Sequence, residues 1–239
     1  MTAARFWRHI LAVFFPERCG LCGTAIPPET LLCQSCLEGV QRIEPPVCVH
    51  CGREKAACRC QNRRRHFERC ISPFLYSGTI KQGILRLKWD NETCAVELFG
   101  SEMARCVQRE YGAEAFSAIV PVPMTPQDQR ARGYNQSRLL ADELARRLGV
   151  PVLEALLKIQ ETVPQKGLDA IARTGNVLGV FDVRPEMVPE IEGRSFLLVD
   201  DLVTTGSTLD ECAKMLKIYG AIRIFGVTVA ATGLSNQEK

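Results

Sequence analysis

The run Phe196-Leu197-Leu198-Val199-Asp200-Asp201-Leu202-Val203-Thr204-Thr205-Gly206-Ser207-Thr208 constrains this chain more than any other stretch. Four successive apolar residues predict a strand buried on both faces, as in a parallel sheet. Two adjacent carboxylates follow, and a short loop of Thr, Gly and Ser opens a helix. Ligands of open α/β sheets sit outside the carboxyl ends of the strands. Backbone N–H groups at a helix N-terminus attract phosphate, and Gly206 lets the backbone come close to it. The order suits a ribose carrying a 5-phosphate. Asp200 and Asp201 would accept hydrogen bonds from the ribose hydroxyls. Val203, Thr204, Thr205, Gly206, Ser207 and Thr208 would cradle the phosphate. A Walker B strand also ends in acids, but it needs a G-x-x-x-x-G-K-[ST] loop, which this sequence lacks. Ordinary helix capping by Thr or Ser explains one hydroxyl, not two acids and Thr-Thr-Gly-Ser-Thr.

The second constraint is cysteine spacing. Of 12 cysteines, eight form close pairs: Cys19 and Cys22, Cys33 and Cys36, Cys48 and Cys51, Cys58 and Cys60. Two thiolates on one tight turn can face one cation, and two such turns close a tetrahedral site. Eight thiolates predict two structural zinc ions. Sequential pairing puts Cys19, Cys22, Cys33 and Cys36 on one, and Cys48, Cys51, Cys58 and Cys60 on the other; the spacing leaves interleaved pairing open as the alternative. Disulfides are disfavoured in a reducing compartment. A module this short has little apolar core, so metal would supply much of its folding energy, separately from the rest of the chain. His50 and His66 are read as non-ligands. Arg53, Lys55, Arg59, Arg63, Arg64, Arg65 and Arg69 form a basic segment that offsets the thiolate charge, with Arg63-Arg64-Arg65 as a solvated linker. A weak contact with single-stranded DNA is the other use of such charge.

Composition narrows the class. With 239 residues, 46% hydrophobic, 24% charged and a net charge of +3, this is an ordinary globular chain of one or two domains. The low net charge makes no global case for nucleic acid. The apolar run Ile10 to Phe15 is too short to span a bilayer, and Pro16-Glu17-Arg18 is no signal-peptidase site. The expectation is a cytoplasmic protein without membrane insertion, of open oligomeric state.

Beyond Cys70, strand and helix patterns alternate, which implies a parallel sheet. Ile71 to Tyr76 and Ala118 to Pro123 read as strands. Ile80 to Leu87 reads as a helix, and a second helix follows Thr93 and ends at Gly112. Cys106 and Cys212 fall on apolar helix faces and are read as core. Met124 to Asn135 reads as a polar, cationic loop. Arg130, Arg132 and Gly133 in it are the candidates for a second anion, a pyrophosphate. A helix bearing Leu140, Leu144 and Leu148 follows, with Gly149 as its terminator.

The Phe196–Thr208 run resembles the phosphoribosyl pyrophosphate (PRPP) motif of type I phosphoribosyltransferases. Arg132-Gly133-Tyr134-Asn135-Gln136 after Pro121-x-Pro123, Gln165-x-x-Leu168, Arg173-x-x-Asn176-x-x-Gly179-x-Phe181, Tyr76-x-Gly78 and Leu87-Lys88 together resemble the ComF family of competence-type proteins. The resemblance covers nearly the whole chain. It implies an α/β fold: a type I phosphoribosyltransferase-like parallel sheet with helices on both faces at residues 67–239. A double zinc ribbon with a short N-terminal helix would occupy residues 1–66. It also implies a transferase that binds PRPP with Mg²⁺, displaces pyrophosphate from ribose C1 and serves DNA uptake or nucleotide metabolism. Such enzymes carry a water-excluding lid, for which Gln165, Lys166 and Arg173 are candidates. The alternative is a non-catalytic scaffold or sensor whose zinc module docks DNA or a DNA-uptake protein. The sequence names no acceptor.

Overall fold

A computed structural model of the protein describes residues 16–58, 60, 64–90, 93–159 and 180–233. The residues expected to form a lid, the N-terminal apolar run, Arg59 and Arg63 lie outside these. In chain order, the ribbon portion holds β1 (Glu17–Arg18), β2 (Ala25–Ile26) and α1 (Gln34–Glu38). The sheet portion holds β3 (Arg69–Ile71), β4 (Phe74–Leu75), α2 (Gly78–Trp89), α3 (Ala95–Tyr111), β5 (Ala118–Pro121), α4 (Pro126–Arg132) and α5 (Gln136–Leu148). It continues with β6 (Leu156–Lys158), β7 (Phe181–Val183), β8 (Ser195–Val203), α6 (Ser207–Ile218) and β9 (Arg223–Ala231).

The central sheet runs β3-β9-β8-β5, with β4 pairing further along β9. Every pairing in it is parallel. Period-two alternation then explains how one apolar run fills two cores. Leu197 and Val199 of β8 face α2, α3 and α5, among Ile84, Phe99 and Leu140. Phe196 and Leu198 face α6 and the β6–β7 hairpin, among Cys212, Leu216 and Phe181. All four of these β8 residues have 0% exposure, as the sequence pattern requires. Cys106 and Cys212 are buried in these clusters. The type I phosphoribosyltransferase-like sheet with helices on both faces is the fold expected above.

Two features differ from the sequence-based expectation. Residues 126–132 form helix α4 rather than loop. The Thr125 hydroxyl accepts from the Asp128 N–H, Pro126 occupies the first turn and Gly133 ends the helix at φ 87°, a complete set of boundary signals. The ribbon is also not separate from the sheet portion. Leu21 has 0% exposure and joins the α2–α3 core. It lies so close to Gly83 of α2 that a Cβ there would sit 2.5 Å from Leu21 Cδ2. At the other ribbon turn, Gly52 has φ 69° and backs onto β3, where a Cβ would meet Cys70 O at 3.1 Å and Ile71 Cα at 3.2 Å.

Candidate functional site

Strand β8 lies between β9 and β5, so both its neighbours are strands and its carboxyl end opens at the middle of the sheet edge. Asp200 and Asp201 lie near that end and alternate in direction. Asp201 is 3% exposed. Its Oδ2 pairs with Lys88 Nζ at 2.6 Å, and its Oδ1 accepts from Gln136 Nε2 at 3.4 Å. Asp200 is half-buried, and its Oδ1 accepts from Ser137 Oγ and from the Asp201 backbone N–H, each at 2.9 Å. Burial first, and the neighbouring Asp201 carboxylate second, push the Asp200 carboxyl up to about 7. The two acids are thus inequivalent: one is held by a lysine, the other is left near its protonation midpoint at neutral pH.

The phosphate loop follows directly. Thr204 and Thr205 are exposed and Gly206 is buried, with Gly206 at φ 79°, a left-handed conformation that a Cβ disfavours. Thr205 Oγ1 and Ser207 Oγ are 2.8 Å apart, and the Ser207 N–H donates to Thr205 Oγ1 at 3.3 Å. Helix α6 then starts at Ser207, directly after the Gly206 turn. This places a left-handed glycine turn, a helix N-terminus and an acid pair on one strand end.

Of the expected pyrophosphate residues, Arg132 connects to the acid pair through Gln136, whereas Arg130 bonds within its own helix. Arg132 donates to Gln136 Oε1 at 2.6 Å, and Gln136 in turn reaches Asp201. Its guanidinium also stacks on Trp89, 4.7 Å from the ring centroid. Arg130 Nε donates to Pro126 O of its own helix. Gly133 forms the turn between α4 and α5.

Lys88, Gln136 and Ser137 were not among the candidate site residues drawn from the sequence. Their signal was positional: Lys88 closes α2, and Gln136-Ser137 open α5 behind the Asn135 N-cap. The basic segment also behaves differently from the expectation. Arg65 is no solvated linker: its side chain is 10% exposed, and Nη2 donates to Thr205 O at 2.7 Å. Arg53 donates to Thr204 O. Arg69 pairs with Glu110 of α3.

The cysteines pair sequentially. The sulfurs of Cys19, Cys22, Cys33 and Cys36 lie within 4.8 Å of one another, as do those of Cys48, Cys51, Cys58 and Cys60. A tetrahedron of Zn–S bonds of about 2.3 Å has edges of about 3.8 Å. The Cys22–Cys33 and Cys51–Cys58 sulfur pairs stand at 3.6 and 3.8 Å. Four soft sulfurs without His or carboxylate fit a closed structural zinc site.

No helix among the described residues is long and apolar enough to cross a membrane. Comparison with known proteins agrees with both halves of the chain. Residues 10–71 match the double zinc ribbon domain, and residues 135–239 match the phosphoribosyl transferase domain. Competence protein F of Haemophilus influenzae is 31% identical over 231 residues, covering 91% of this chain and 99% of that protein. Competence protein ComFC of Bacillus subtilis is 27% identical, covering 80% of each. DNA utilization protein YhgH of Escherichia coli K12 is 29% identical, covering 86% of this chain and 94% of that protein.

Proposed function

This chain belongs to the ComF family, and we propose that it binds PRPP with Mg²⁺ at the β8–α6 edge and transfers the phosphoribosyl group to a nucleophilic acceptor. The carrying observation is the acid pair at the end of the central strand, followed by the Gly206 turn and the α6 N-terminus. In this proposal the ribose hydroxyls donate to Asp200 and Asp201, and the loop from Val203 to Thr208 holds the 5-phosphate. Arg132 and the Gly133 turn, with Arg130, take the pyrophosphate. Mg²⁺ is a hard cation that prefers oxygen ligands; the carboxylates of Asp200 and Asp201 fit its site, and it would supply charge stabilisation to the leaving pyrophosphate. The acceptor's lone pair forms a bond to ribose C1 as the C1–O bond to pyrophosphate breaks, and pyrophosphate leaves with that electron pair. The protein's part is positioning and stabilising the charge that develops on the leaving group. Gln165, Lys166 and Arg173 are proposed as the lid. Lys88 pairs with Asp201 and fixes its position, while Asp200, pushed up to about 7, can take up or release a proton.

The two tetrads are proposed to hold two structural zinc ions, in a ribbon unit of residues 1–66 joined to a sheet unit of 67–239, in the cytoplasm. The names of the relatives above speak of competence and DNA utilization, which supports a role beside DNA uptake and a partner that is single-stranded DNA or an uptake protein. The test is calorimetry with PRPP and Mg²⁺, followed by pyrophosphate release with candidate bases. Binding plus release supports the transferase. Binding without release supports the scaffold or sensor. Lack of binding, with Asp200→Asn/Asp201→Asn behaving as wild type, would overturn the ligand assignment.

A further inference from the structure

We propose that Arg53 and Arg65 are positioning residues for the phosphate loop, orienting two successive backbone amides toward the bound anion from behind. The inference rests on the ligand assignment above and extends it to residues that come from the zinc-ribbon side of the molecule. A trans peptide is planar, with its C=O and N–H pointing to opposite sides. The Thr204 carbonyl shares its plane with the Thr205 N–H, and the Thr205 carbonyl shares its plane with the Gly206 N–H. Arg53 Nη2 bonds the first carbonyl, and Arg65 Nη2 bonds the second at 2.7 Å. Fixing each carbonyl on the ribbon side turns the paired N–H to the other side, where the phosphate would lie.

Packing cannot set these planes, because Thr204 and Thr205 are exposed. The guanidinium bonds can. A cation on the carbonyl also polarises the peptide, which makes its N–H a stronger donor. Both arginines are themselves anchored. Arg53 Nη2 bridges from the loop to Thr232 Oγ1 at 2.8 Å, and its backbone follows Cys51 of the second tetrad by two residues. Arg65 Nη1 reaches Asp210 Oδ2 at 3.5 Å in the first turn of α6. The adjacent His66 N–H donates to Asp210 Oδ1 at 2.7 Å. Arg65 lies against the back of the turn: a Cβ on Gly206 would sit 3.8 Å from its Nη2. A planar fork can hold two acceptors at fixed angles, whereas a lysine offers one flexible point charge.

The experiment uses the full chain, with ribose 5-phosphate as the probe. Amide order parameters of Thr205 and Gly206 are measured by NMR without ligand, and the ribose 5-phosphate Kd by calorimetry. Arg65→Ala and Arg53→Ala should each lower the loop order parameters from about 0.85 toward 0.6 and raise Kd about tenfold, the loss expected for one charged hydrogen bond. Arg65→Lys should recover only a small part of either. Arg223→Ala, which removes an exposed pair with Glu114, should change neither. Unaltered order parameters in both alanine variants would overturn the proposal, and so would full recovery of Kd by lysine, since charge alone would then suffice. Should Arg65→Ala fail to fold, Asp210→Asn releases one arm of the same guanidinium and should raise Kd about threefold; an unchanged loop there would also overturn it. Failure of the wild type to bind ribose 5-phosphate would refute the ligand assignment, while the order parameters would still decide the role of the arginines.

Discussion

Replacing Asp200 by Asn should stabilise the ligand-free protein, and the gain should grow with pH. Asp200 sits beside Asp201 in a half-buried site that raises its carboxyl from 3.8 to about 7. Its ordinary value, near 4, applies in the unfolded chain. Between pH 4 and 7 the folded state therefore binds more protons than the unfolded state, so stability falls as pH rises through that window. At about 1.4 kcal/mol per pH unit, the accumulated loss reaches about 4 kcal/mol by pH 8. That is an upper limit, because the carboxylate keeps some contact with water. Asn carries no charge and does not titrate, while its Oδ1 can still accept from Ser137 Oγ and the Asp201 N–H. Asp200→Asn should thus match wild type near pH 4 and exceed it by about 2–4 kcal/mol at pH 8, a rise in Tm on the order of 4–16 °C for a chain of this size. Urea unfolding of both proteins at pH 4, 6 and 8 measures it. A stability difference that does not change with pH, or a variant weaker than wild type at pH 8, would refute the strained-carboxylate explanation. The same substitution should weaken ribose 5-phosphate binding, the trade expected of a site built for ligand rather than for stability.

Three further outcomes are expected. Lys88→Met leaves Asp201 buried without its cation and should cost about 2–3 kcal/mol, less than a fully buried pair because Lys88 is partly exposed; a urea-based double-mutant cycle with Asp201→Asn should recover most of it, and additivity would show that the pair is not coupled. Gly52→Ala must hold φ near 69° against the β3 backbone, which should cost about 2–4 kcal/mol from left-handed strain and overpacking together; a change within about 0.5 kcal/mol would mean that the ribbon does not press on β3 as described. Metal analysis should give two zinc ions per chain and Cys58→Ser only one, four thiolates per ion, while chelation should lower the Tm of the whole protein because Leu21 shares the α2–α3 core; a sheet portion that melts unchanged after chelation would show that the two cores are not thermodynamically joined.

What was legible in the sequence was local. The Phe196–Thr208 run encodes strand, acids, turn and helix start within one stretch, so its order alone placed the candidate phosphate loop. Cysteine pairs separated by one or two residues likewise announce ligand turns, because the chelating geometry belongs to the turn. The α4 helix was legible too, in Thr125, Pro126, Asp128 and Gly133, but the polar character of the segment masked those boundary signals. Which pairs of cysteines meet could not be read from spacing, since sequential and interleaved tetrads use the same turns. The acid pair's partners, Lys88 on α2 and Gln136 and Ser137 on α5, were set by how those helices pack beside β8. The two arginines were the least legible, for they reach loop carbonyls 151 and 140 residues away. Local composition made them look like surface charge. A backbone carbonyl has no sequence signature, so only the docking of the ribbon on the sheet edge determined which carbonyls those arginines would hold.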